Sequence, residues 1–156
     1  LSIYTCRRLD ELMSLDLNLY EAEHCFWKVE DVKNPKGSLG NHKYFKVSDR
    51  AKTIIDELLK PEIRQRMLKK KGNENFLIPL HGKSVSNEFR ELCKMLSIED
   101  LRFHDLRHEG ATRLAEQGMT IPQIQEFTMH DSWESLQRYV NLKFKRVVIH
   151  YSDIDL

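Results

Sequence analysis

The sequence is short of the features that would place it in a membrane or stitch it with disulfides. No apolar run in its 156 residues approaches the roughly 18 to 20 that cross a bilayer as a helix. Its three cysteines, Cys6, Cys25 and Cys93, are odd in number and far apart. That excludes a disulfide framework as the organising principle and predicts reduced thiols. Net charge is also scarce: 25 basic against 24 acidic residues leave +1, so no overall field argues for a polyanionic partner. There is no internal repeat, low-complexity tract or long linker, which predicts one domain. The opening LSIYTCRRLDEL has no initiator Met and lacks the charged-then-apolar layout of a signal peptide. It reads as the interior of a longer chain.

What is present is a globular composition, 40% hydrophobic and 31% charged, on a chain long enough to bury a core. Residues 8 to 15, RLDELMSL, place Leu9, Leu12, Met13 and Leu15 at helical spacing. HCFWKVEDV (24–32) and KYFKV (43–47) are aromatic and β-branched and predict two strands. KNPKGSLGN between them predicts a long hairpin loop. Ser48 or Asp49 then caps a helix with Ala51, Ile54, Ile55, Leu58 and Leu59 on one face. A basic helix follows in PEIRQRMLKKKG, starting on its proline and ending at Gly72.

NFLIPL reads as extended, and Ser84 or Ser86 as the start of a helix burying Phe89, Leu92, Cys93 and Leu96. Residues 105 to 117 predict a helix stopped by Gly118, and Thr120 caps another with Pro122 in its first turn. Its inward residues are Ile121, Ile124 and Phe127. A last helix opens at Asp131 or Ser132 and carries Trp133, Leu136 and Val140 in step. The tail RVVIHYS is a strand candidate. The fold class is therefore α+β, mainly helical, with a small antiparallel sheet.

Charge matters where it clusters rather than in total. One cluster, Arg64, Arg66, Lys69, Lys70 and Lys71, is the pattern of a solvated helix end. The other is Arg102, Arg107 and Arg113 with His104 and His108, mixed with apolar residues and centred on HDLRH, residues 104 to 108. His104 and Arg107 are three apart and face one side of a helix. His104 and His108, four apart, have the spacing of a metal-binding pair. The sequence between them holds Asp105 and an arginine rather than the usual glutamate, and a guanidinium beside a dication is unfavourable. A guanidinium with a histidine suits a phosphate instead. At the other end, Arg7 and Arg8 head an apolar helix, so one of them must approach the buried side. A buried arginine needs a carboxylate or phosphate partner, and Asp10 and Glu11 are the local candidates.

Together these stretches resemble the catalytic domain of the tyrosine site-specific recombinases, the phage integrase family. TCRRLDELMSL resembles the family's first arginine motif, whose register selects Arg8, three residues before Glu11. HDLRHEGATRLAEQG resembles the second box and gives His104 and Arg107. MHDSWESLQRYVNL resembles the third, in which a histidine precedes the nucleophilic tyrosine by nine residues, giving His130 and Tyr139. KVEDVKNPKG...KYFKV resembles the hairpin that carries the family's lysine: Lys33, with Lys36 as runner-up. The resemblance spans residues 5 to about 142, and its weight lies in the order of the four boxes. Two departures stand out. The family has glycine where this chain has Cys6 and Met129, which predicts a changed local turn at each with the catalytic side chains retained.

The resemblance implies a DNA breaking-rejoining fold covering residues 1–156, with the family's amino-terminal core-binding domain absent and residues 143–156 forming a tail with an edge strand. It implies that Tyr139 attacks a phosphodiester of double-stranded DNA, leaving a 3′-phosphotyrosyl link and a free 5′-hydroxyl. Arg8 and Arg107 would clamp the phosphate and His130 would hydrogen-bond it. His104 would serve as acid/base to a hydroxyl whose ordinary pKa is near 10, and Lys33 would protonate the leaving oxygen. His108 is expected to pack behind the site. No metal, nucleotide or other cofactor is implied. The expected partners are duplex DNA, further copies assembling as a tetramer on paired sites through the tail, and accessory DNA-bending proteins. The expected setting is the bacterial cytosol and nucleoid, without a membrane, in a prophage or other mobile element. Two rival readings share the residues: a type IB topoisomerase that relaxes DNA, and a DNA-binding relative that has no activity.

Overall fold

The computed structural model describes residues 1–30, 40–129 and Leu136. Helix α1 (Ser2–Thr5) turns through Cys6 into α2 (Leu9–Met13). A 3-10 turn, Leu17–Leu19, leads into β1 (Tyr20–Glu21), β2 (Phe26–Val29) and β3 (Lys43–Lys46). Five helices follow: α3 (Asp49–Leu59), α4 (Pro61–Leu68), α5 (Gly82–Met95), α6 (Asp105–Glu116) and α7 (Ile121–Thr128). The strands form an antiparallel sheet in the order β1-β2-β3, with Trp27 opposite Tyr20 on one side and Phe45 on the other. The expected α+β, mainly helical architecture is present.

Local chemistry accounts for several helix ends. Ser48 caps α3, its Oγ accepting from the Ala51 amide. Thr120 and Gln123 form a capping box on α7. Gly118, at φ +87, ends the α6 segment in the left-handed conformation that glycine adopts without a Cβ penalty. Three expectations are corrected. The first predicted helix stops at Met13, so Leu15 joins the core from beyond it. Helix α5 begins at Gly82 rather than at Ser84 or Ser86, because the His81 ring nitrogen already accepts from the Lys83 amide. Its buried stripe is narrower too. Cys93 is buried and Phe89 meets Phe103 edge-on, whereas Leu92 and Leu96 stay exposed, since Leu92 is rotated one position off that face and Leu96 lies past the last turn.

The core lies between the sheet and the helices. Trp27, Val29, Phe45 and Val47 pack with Leu12, Leu15, Ala51, Ile55, Leu77 and Met129. Trp27 is fully buried, stacks on Tyr20 at 4.6 Å and donates its indole N–H to the Asp16 carbonyl at 2.9 Å. An aromatic of this size removes roughly 200 Å² from water, on the order of 5 kcal/mol before ordering costs. NFLIPL, expected to be extended, is instead turn and bend with a single bridge, Phe76 to Asp16, because its ties go to the chain beside Leu15: the Leu77 amide donates to the Leu15 carbonyl at 2.8 Å. Arg64 of the basic α4 is committed to this segment, donating to the carbonyls of Glu74, Phe76 and Leu77. A second cluster joins α6 and α7 through Ala111, Ala115 and Ile124, with Leu136 buried against them as expected. Trp133, Val140 and the tail strand candidate lie outside the described residues.

Candidate DNA-phosphate site

Two segments remote in sequence meet at one buried carboxylate, and their arginines hold a third. Glu11, on α2, is only 7% exposed. Arg8, at the amino-terminal cap of the same helix, points Nη1 at Glu11 Oε1 (3.0 Å), and its amide donates to Oε2 (3.0 Å). Arg7 Nη1 lies 3.7 Å from Glu11 Oε2, and Arg107 Nη1 lies 3.6 Å from the same oxygen. The sequence left open which of Arg7 and Arg8 is buried, and which acid serves it. Arg7 is the buried one, at 0% exposure, Arg8 keeps 37% of its side chain open, and Glu11 serves both while Asp10 faces solvent.

Arg107 reaches Glu11 because of where α6 starts. His104 precedes the helix, and Arg107 lies in its first turn. Gly110 then lets α6 close onto α1, since a Cβ there would overlap the Ile3 carbonyl oxygen and lie 2.8 Å from Cys6 Sγ. His104 is exposed, and its ring stands edge-on to that of His108 at 4.7 Å.

The third segment is the carboxyl-terminal end of α7. Its last carbonyls have no partners within the helix and carry the negative end of the helix dipole. Cations from three parts of the chain take consecutive ones. Arg7 Nη2 donates to the Phe127 carbonyl at 2.7 Å, Arg107 Nη2 to that of Thr128 at 3.0 Å, and Lys43 Nζ of β3 to that of Met129 at 3.3 Å. No sequence pattern marked Lys43 or the central place of Arg7, because both depend on the approach of a distant segment.

Cys6 and Met129 occupy matching positions, one before the arginines and one before His130. Both are buried and left-handed, at φ 52 and φ 55. The side chains there accept the conformation that favours glycine, at roughly 1–2 kcal/mol each. Burial pushes the Cys6 thiol up to about 11, against the opposing pull of Arg7 and Arg107. Burial likewise lowers Arg7 to about 10, with Glu11 the main counterweight.

Residues 1–146 match the family model described as the phage integrase family. The chain belongs to that family. Among curated phage integrase relatives, it is 37% identical over 71 residues to the integrase of Salmonella phage P22, covering 46% of this chain and 18% of that protein. It is 26% identical over 149 residues to the shufflon-specific DNA recombinase of Escherichia coli, covering 95% of this chain and 35% of that protein. The chain thus spans well under two thirds of either relative. Its fold is similar to the crystal structure of XerA recombinase, with a TM-score of 0.71 at 19% identity over 96% of this chain and 55% of that one. It is also similar to the Tn1549 transposon integrase in complex with circular intermediate DNA, with a TM-score of 0.69 at 18% identity over 93% and 55%. The architecture is that of the tyrosine recombinase catalytic domain.

Of the expected site residues, Arg8 and Arg107 converge on Glu11, and His104 lies one helical turn before Arg107. Lys33, Lys36, His130 and Tyr139 lie outside the described residues.

Proposed function

We propose that the domain is the catalytic part of a site-specific DNA recombinase or integrase, cutting and rejoining strands through Tyr139. The observation that supports this best is the physical joining of the first two motif boxes to the approach of the third. Arg8 and Arg107 share Glu11, and Arg107 also holds the Thr128 carbonyl, two residues before His130. Such a cluster, with Arg8 still open to solvent, is suited to grip a phosphodiester.

In this reading the Tyr139 hydroxyl oxygen attacks phosphorus. The phenolic proton passes to His104, the bond to the 5′-oxygen breaks, and Lys33 protonates that oxygen. Arg8, Arg107 and His130 stabilise the charge that develops on the non-bridging oxygens. Each preorganised donor of that kind is worth roughly 100- to 1000-fold. Rejoining reverses the steps with a new 5′-hydroxyl, so the phosphodiester is conserved without metal or nucleotide. The wider assignment, also proposed, is to double-stranded DNA as substrate, assembly of four copies on paired sites, and the bacterial cytosol as the setting.

A nicked suicide duplex, which loses its 5′-hydroxyl fragment after cleavage, tests the reading. Wild type should accumulate a covalent protein–DNA adduct resistant to denaturant, and Tyr139→Phe should form none. Adduct formation by Tyr139→Phe would remove Tyr139 as nucleophile. The absence of adduct from wild type on every duplex tried would favour a binding module.

A further inference from the structure

A guanidinium at full burial is expensive, and Arg7 is 0% exposed while the next residue reaches solvent. Its lowered pKa, about 10, reflects that burial. Stability alone does not explain it, since apolar residues of similar volume often replace buried ion pairs at no loss. What an apolar side chain lacks is a fork of donors, and here the fork is in use. Arg7 Nε donates to the Thr5 carbonyl at 2.9 Å and Nη2 to that of Phe127 at 2.7 Å, with Nη1 turned to Glu11 and the plane lying 5.1 Å from the Phe45 ring centre. One side chain therefore joins the end of α1, the start of α2, strand β3 and the last turn of α7.

We propose that Arg7 is a positioning residue for the phosphate site: it fixes the final turn of α7, and so where the chain enters His130, and holds the Glu11 carboxylate that Arg8 and Arg107 also use, without touching DNA itself. This rests on the recombinase reading given above. Lysine at this position keeps the charge but has no planar fork to serve both the Thr5 and Phe127 carbonyls. Methionine fills similar space with no donors.

The test compares wild type, Arg7→Lys and Arg7→Met on the nicked suicide duplex over a range of DNA concentrations. Circular dichroism and a cooperative melt report folding. For Arg7→Met the rate of adduct formation at saturating DNA should fall roughly 10- to 100-fold, the scale of a small misplacement of reacting groups. Arg7→Lys should fall less. The half-saturating DNA concentration should stay within about threefold of wild type, because an effect on rate alone separates positioning from binding. Independently of DNA, amide hydrogen exchange in the segment that follows Phe127 should accelerate in Arg7→Met.

A folded Arg7→Met with the wild-type rate overturns the proposal, as does unchanged exchange after Phe127. A loss confined to half-saturation would make Arg7 a direct DNA contact and also overturn it. A chain that folds with neither substitution would make Arg7 a determinant of the fold rather than of the site. If wild type itself forms no adduct, the recombinase reading fails, and the exchange comparison still decides whether Arg7 sets the turn.

Discussion

Arg7 and Arg107 aim their Nη1 atoms at the same oxygen, Glu11 Oε2, from 3.7 and 3.6 Å. Their Nη2 atoms take adjacent carbonyls at the end of α7, those of Phe127 and Thr128. The two arginines lie 100 positions apart in the sequence and form one unit with a single acid at its centre. Glu11→Gln should therefore cost about 3 kcal/mol, the scale for removing one partner of a buried ion pair. Urea unfolding would measure it. A change below about 1 kcal/mol, the range of exposed pairs, would show that the arginines do not depend on this carboxylate.

Cys6 gives a dependence on pH. Its folded pKa is raised from 9.0 to about 11 by burial, so folding favours the neutral thiol. That contribution is complete below pH 9 and is lost as pH rises through 11. At pH 10.5 wild type should have lost roughly 2 kcal/mol more than Cys6→Ala, relative to pH 8. Urea midpoints at the two pH values give the difference; parallel behaviour of the two proteins would place the thiol in contact with water.

Close approach of α6 to α1 is sharpest at Gly110, where an added Cβ overlaps the Ile3 carbonyl oxygen and comes within 2.8 Å of Cys6 Sγ. Gly110→Ala should destabilise the fold by about 2–3 kcal/mol, since backbone cannot yield as a flexible side chain does. It should also slow adduct formation, because the Arg107 helix shifts away from Glu11. Thermal melts and the suicide-duplex assay measure the two effects. A neutral substitution would mean that the helices separate freely.

The proposed acid Lys33 can be separated from the phosphate clamp by its chemistry. Replacing the bridging 5′-oxygen of the duplex by sulfur makes a leaving group that needs no proton. Lys33→Ala should lose roughly 100- to 10,000-fold with the oxygen substrate, the range of general acid catalysis, and regain most of it with sulfur. Arg107→Ala should be slow with both. If Lys36→Ala, rather than Lys33→Ala, shows the recovery, the acid is Lys36.

Much of the framework could be read along the chain because its causes are local. Ser48, Thr120 and Gly118 mark helix ends through contacts within a few residues. Aromatic and β-branched content marks the strands Phe26–Val29 and Lys43–Lys46. The buried face of α5 excludes Leu92 and Leu96, because periodicity shows that a helix has an apolar side, not how wide a neighbour covers it. For the same reason β1 and the short α1 escaped notice: elements of two and four residues have too little pattern of their own.

By itself the sequence determined where helices and strands form and which motif residues occur in order, since those follow from propensity, capping and spacing. Only the tertiary structure decided that Arg7 is buried and Arg8 open, that Glu11 rather than Asp10 serves them, and that Arg7, Arg107 and Lys43 take consecutive carbonyls of α7. A one-residue step along the chain turns a side chain from core to solvent, and no local rule says which way until the partner segment has docked. The carbonyls that claim these cations come from the far end of the chain.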